Sequence, residues 1–188
     1  MMEVFLMSNG SDKAGWLTPV TPGPEYDDEL EHTLHHWVCG VSGLPDDKVR
    51  SRWTSSPSPS PPLSEDDGCD FGITGFISDV SPVFENQTDE STELWRYEEI
   101  ECLISFYGPN CQRYGACFRD GLAVSQNNDE LGRFGLSVGK YTRLTFLPEL
   151  INNQWVRRYD MTITLRRKVV REYGVKSLVE APVKFFGD

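Results

Sequence analysis

His32, His35 and His36 are the three histidines of the 188-residue chain, and His32 and His36 stand four residues apart. On a helix that spacing puts two imidazoles on one face, where they can chelate a transition metal. No Cys or carboxylate pattern supplies the remaining ligands, so surface histidines are expected, with no metal and no other cofactor. The five cysteines, Cys39, Cys69, Cys102, Cys111 and Cys117, are odd in number and contain no C-x-x-C pair. Lying mostly within apolar patterns, they read as free thiols in a reducing compartment, with Cys111 and Cys117 in the core. Adjacent acids at Glu98 and Glu99, or at Asp66 and Asp67, have the chemistry for acid/base work. Neighbours on a strand face opposite ways, however, and adjacent acids are common on surfaces. Neither a G-x-S-x-G elbow nor a Gly-rich phosphate loop is present, so no catalytic residue and no enzyme is expected.

The basic run Arg166, Arg167, Lys168 and Arg171 has little aromatic interleaving and sits in a chain of net charge -11. A protein contact is therefore expected in preference to nucleic acid. The charge is unevenly distributed: residues 1–92 carry 17 acids and 4 bases, net -13, and residues 93–188 carry 12 acids and 14 bases, net +2. Two readings stay open. The acids belong to solvated loops, or the acidic part of one subunit meets the basic part of the next in a head-to-tail assembly that closes into a ring.

The elements that must position these residues follow from periodicity. Leu30, Leu34, Trp37, Val38 and Val41 recur at helical spacing behind acids that suit a helix N-terminus, which predicts a helix ending near Gly43 and Pro45. VRSRW predicts a short strand, TSSPSPSPPLSEDDG an exposed Pro/Ser-rich loop at 54–68, and CDFGITGFISDV a strand. PVFENQTDEST reads as a turn or loop, and its NQT triplet has meaning only in a secreted protein.

In ELWRYEEIECLISFYG, Ile100, Cys102, Ile104 and Phe106 share the core face of a strand. Asn110 is a candidate N-cap for a helix with a stripe of Tyr114, Cys117, Phe118 and Leu122. KYTRLTFLP predicts a strand with Leu144 and Phe146 inward. In QWVRRYDMTITLRRKV, Tyr159, Met161, Ile163 and Leu165 alternate with a polar face of Arg158, Asp160, Thr162, Thr164, Arg166 and Lys168. Phe185 and Phe186 read either as a core strand or as a hook for a neighbour.

Together these predict an α+β fold, a mostly antiparallel β-sheet packed on one side by two α-helices. The expected organisation is a flexible arm at 1–24, a single domain at 25–173 and an extension at 174–188. A hydrophobic content of 38% and mean hydropathy of -0.43 suit a soluble globular protein. No apolar run has the length of a membrane span, and MMEVFLMSNG does not read as a secretory signal, so no membrane is expected.

The second half, through ISFYG, the helix after it and above all LPELINNQWVRRYDMTITLR at 147–166, resembles the phage neck terminator family, akin in role to tail terminator and tail-completion proteins. Its features are a Leu-Pro and Asn-rich turn, a Trp, an Arg and an alternating strand. They match Leu147, Pro148, Asn152, Trp155, Arg157 or Arg158, Asp160, Ile163 and Leu165. LHHWVCGVSGLPDDKV is similar to the family's first helix and Gly-Leu-Pro turn, and the likeness spans about residues 30–170 of the chain.

The resemblance implies a terminator-like fold and a structural virion protein of a tailed bacteriophage, assembled in the host cytoplasm. It would form a hexameric ring at the neck that ends the tail tube and joins the head connector. Its implied partners are further copies of itself, the tail tube protein and the connector or head completion protein. Genomic DNA would pass through without sequence-specific binding. Candidate contact residues are Trp155, Arg157, Arg158, Arg166, Arg167, Lys168, Phe185 and Phe186, with Trp155 either an interface anchor or a strand-end core residue. Reversing Arg166, Arg167 and Lys168 to Glu is expected to weaken assembly and leave the monomer folded. The alternatives are a head completion, connector or minor tail protein, and a cytosolic adaptor acting through the Pro-rich loop.

Overall fold

Asp27, Asp28 and Glu29 place negative charge at the positive end of helix α1 (Asp27–Ser42). The helix stops at Gly43, whose left-handed φ of 73° lets its N–H bond the Cys39 carbonyl. Its stripe of Leu30, Leu34, Trp37 and Val38 is buried, as the spacing predicts. A computed structural model describes residues 10–11, 15–53 and 66–175. Phe185, Phe186 and residues 54–65 of the Pro/Ser-rich loop lie outside the described residues.

After α1 come a 3-10 turn (Asp46–Lys48) and strands β1 (Val49–Ser51), β2 (Gly68–Ser78), β3 (Val83–Glu85) and β4 (Thr92–Tyr107). Helices α2 (Cys111–Gly121) and α3 (Ser125–Gly132) lead to β5 (Leu136–Tyr141), β6 (Thr145–Phe146), β7 (Glu149–Ile151), β8 (Gln154–Val156) and β9 (Arg158–Tyr173). The main sheet runs β1-β2-β4-β9-β5, with β3 on β4 and β6 on β9; β7 and β8 form a separate two-stranded sheet. The β1–β2 pairing is parallel, and β2–β4 and β5–β9 are antiparallel. The class is therefore α+β. Among the described residues three helices accompany the sheet, α3 being additional to the two expected, and β3 forms where a turn or loop is predicted.

The chain divides into two compact units: Met1–Pro24, Asp79–Tyr97 and Lys168–Asp188 form one, and Glu25–Ser78 with Glu98–Arg167 the other. Within the first unit, the Val20 N–H bonds the Glu172 carbonyl at 2.7 Å and the Ser11 N–H the Gly174 carbonyl at 2.8 Å. The ammonium of Lys168 lies 2.9 Å from the centre of the Trp95 ring, and the Trp95 indole N–H donates to Glu93 at 2.7 Å.

In the second unit the alternation of the long strands decides the core. Ile100, Cys102, Ile104 and Phe106 of β4 and Met161, Ile163 and Leu165 of β9 are buried on one face with Leu30, Leu34 and Trp37 of α1 and Phe118 of α2. Phe118 lies between Trp37 and Phe106, with ring centroids 5.3 and 5.6 Å away. Gly108, after β4, has φ +102°, and a Cβ there would come within 2.3 Å of the Asp66 carbonyl oxygen, so only glycine suits this corner. Asn110 is the residue before α2, but its side chain makes no cap; its backbone N–H and side-chain amide donate to the Asp67 carboxylate at 2.7 and 2.8 Å.

Cys117 is exposed, because the α2 stripe runs through Cys111 and Phe118 and leaves Cys117 on the other side. Leu144 is only partly buried and Phe146 is half exposed, against the expected inward strand. Burial raises the Cys69 and Cys102 thiols well above their usual range, Cys102 to about 12. A thiol reagent at neutral pH will therefore label Cys117 in the native protein and spare Cys69 and Cys102 until denaturant is added, as mass mapping of labelled peptides can read. Prompt native labelling of Cys102 would contradict this packing.

Candidate functional site

The β7–β8 hairpin turns at Asn152 and Asn153, whose φ values of 49° and 62° are both positive. Two consecutive left-handed residues make the tight turn whose twist suits a two-residue hairpin, and asparagine tolerates that conformation better than other non-glycine residues. Alternation then sends neighbours to opposite sides. Val156 is buried, whereas Trp155 is 70% exposed and stands directly across from Leu150, itself 54% exposed. Phe146 and Leu147, just before the hairpin, are about half exposed as well, at 49% and 48%. Of the two readings left open for Trp155, the core one is excluded within the monomer.

Arg158 anchors the base of this hairpin. Its guanidinium donates to both Asp160 oxygens at 2.6 and 2.7 Å and to Glu149 of β7 at 2.7 Å. It also lies over the Tyr107 ring, 5.5 Å from the centroid. Burial pulls its pKa down, but hydrogen bonds to Asp160 and Glu149 outweigh that and hold it above the ordinary arginine value. Asp160 is itself buried. Arg158 thus positions the hairpin, while Arg157 is exposed and donates to the Pro109 carbonyl at 3.3 Å.

The basic run on β9 divides in the same way. Arg166 is exposed on the polar face and pairs with Glu99 at 2.8 Å. Arg167 falls on the core face, 5% exposed, and bonds Glu98 at 2.9 Å. The Tyr26 hydroxyl donates to the same carboxylate at 3.1 Å, and the Arg167 guanidinium lies 4.2 Å from the centre of the Tyr26 ring. Lys168 returns to the exposed face. Reversing all three charges is therefore expected to destabilise the monomer as well, because Arg167→Glu would bury a second carboxylate beside Glu98. The acids weighed for acid/base chemistry are likewise engaged: Glu98 and Glu99 with these arginines, Asp66 with Lys48, Asp67 with Asn110.

A carboxylate and a thiol stand beside His35, outside the His32 and His36 pair. His35 Nδ1 lies 3.5 Å from Asp46 Oδ1 and 3.9 Å from Cys39 Sγ. The sequence reading missed this because Asp46 belongs to the 3-10 turn, which comes back toward α1 only after Gly43 and Pro45 reverse the chain.

Among the described residues, no helix is long and apolar enough to cross a membrane. No curated protein matches the chain. A model of the phage neck terminator protein family matches residues 28–188. The matched segment takes in α1, the sheet and the hairpin that carries Trp155. The chain is therefore a member of the phage neck terminator protein family, a structural component of the phage neck.

Proposed function

We propose that copies of this chain close into a ring of six at the neck, end the growth of the tail tube and join it to the head connector. Family membership supports the place in the virion. The observation that carries the mode of action is the cross-strand pair of Leu150 and Trp155, exposed on a two-stranded hairpin. An isolated two-stranded ribbon is only marginally stable and has unpaired edges, so it gains from covering by another subunit. Arg158 pre-orients the ribbon, which lowers the ordering cost of association. Large aromatic residues are the usual anchors of such contacts.

In this reading the protein works by binding, without catalysis. The net charge of -11 favours passage of DNA without adhesion. The unequal charge of the two sequence halves favours a head-to-tail contact over a two-fold one. Polymerising purified tail tube protein with and without this chain, and measuring tube lengths by electron microscopy, tests the proposal. Shortened tubes with one capped end are expected. An unchanged length distribution with no end density would overturn the terminating role.

A further inference from the structure

All three histidines of the chain, together with Glu31 and Asp46, line one open cleft of about 510 Å³ beside α1. The donor atoms of two of the lining residues, His35 and Asp46, and of Cys39 come within 4.8 Å of one another. From this juxtaposition we infer that His35, Cys39 and Asp46 bind a divalent transition metal, zinc by the softness of the donor set, which ties the 3-10 turn to α1.

The spacing of the donor atoms is compatible with a small tetrahedral ion. His35 and Cys39 are four apart on one helical face, so both project to the same side of α1. With Zn–N near 2.0–2.1 Å, Zn–S near 2.3 Å and Zn–O near 2.0–2.2 Å, the N···O and N···S edges of a tetrahedron are about 3.4 and 3.6 Å. The observed separations are 3.5 Å for His35 to Asp46 and 3.9 Å for His35 to Cys39, close to those edges, and all three donor atoms lie within 4.8 Å of one another.

The tautomer is also arranged. His35 Nε2 lies 3.1 Å from the Val49 carbonyl oxygen and 3.3 Å from that of Asp46. A proton on Nε2 satisfies these acceptors and leaves Nδ1 unprotonated beside Asp46, while Cys39 Sγ stands 3.9 Å from both ring nitrogens and reaches a shared ion by a side-chain rotation. Metal-bound histidines are oriented in this way by a carbonyl on the other ring nitrogen. A nitrogen, a thiolate and a carboxylate leave the fourth position to water. Binding displaces the Cys39 thiol proton to solvent, since the thiolate is the ligand. One turn earlier, His32 and His36 bring their Nε2 atoms to 3.1 Å, a separate two-nitrogen chelate with no sulfur ligand.

Cobalt(II) added to the metal-free full chain distinguishes the two. One equivalent is expected to bind and to develop tetrahedral d–d absorption with a near-ultraviolet thiolate-to-metal band. Cys39→Ser should abolish that band, and the exposed Asp46→Asn should weaken cobalt binding by at least about tenfold, the minimum that even an indirect partner costs. The double variant His32→Ala/His36→Ala should keep both absorptions. Absence of the thiolate band from the parent chain would overturn the inference. Binding lost only in the His32/His36 variant would overturn it too. Circular dichroism of each variant confirms that the fold is retained.

Discussion

Arg167→Ala is expected to lower the free energy of unfolding by about 3–5 kcal/mol, because it leaves the Glu98 carboxylate without its cation. The two side chains are 3% and 9% exposed, and their atoms meet at 2.9 Å. Tyr26 donates a hydroxyl hydrogen bond to Glu98 and its ring faces the guanidinium, so truncation also removes a cation–π contact. A pair of this kind is costly to break and of little value in itself. The double variant Glu98→Leu/Arg167→Met should therefore recover most of the loss, since hydrophobic replacement of a buried ion pair is often neutral or stabilising. Arg166→Ala, at an exposed pair, should change stability by no more than about 1 kcal/mol. Urea denaturation of the three variants and the parent chain checks all of this. A parental midpoint for Arg167→Ala would contradict the burial of the pair.

The second large effect concerns association rather than folding. Trp155→Ser should leave monomer stability within about 0.5 kcal/mol, as befits a side chain that is 70% exposed. It should weaken each subunit contact by about 2 kcal/mol or more, roughly thirtyfold in dissociation constant. Leu150→Ser should act in the same direction. As the two residues sit directly across the hairpin, the double variant should lose less than the sum of the single losses. Sedimentation velocity over a concentration series reads both quantities. Unaltered association by Trp155→Ser would remove the hairpin from the subunit contact.

Much of this architecture is legible in the sequence because the long elements are strongly periodic. The stripe of α1 and the core faces of β4 and β9 follow directly from spacing, and Gly43 marks the end of α1. The same parity places Arg167 two positions beyond Leu165, on the core face. Reading Arg166, Arg167 and Lys168 as one surface cluster overlooks that signal, since charge type is weighed above strand parity.

Other features carry weaker marks. The sequence of α3, SQNNDELG, offers only Leu131 to the core, so no amphipathic stripe announces it. At the hairpin, Trp155 and Val156 are both apolar, and alternation cannot say which of two adjacent apolar residues faces inward. The register set by the Asn152–Asn153 turn decides it. The meeting of Asp46 with His35 and Cys39 depends on how a short turn folds back, which local patterns do not encode.

On the function proposed above, this chain closes into a ring that caps the tube. Its mass in solution, measured by multi-angle light scattering at moderate salt, alone and with the tail tube protein, tests that most directly. A mass of six chains, either alone or on addition of tube protein, is the predicted result. A monomer whose mass is unchanged by tube protein at any concentration would contradict the account.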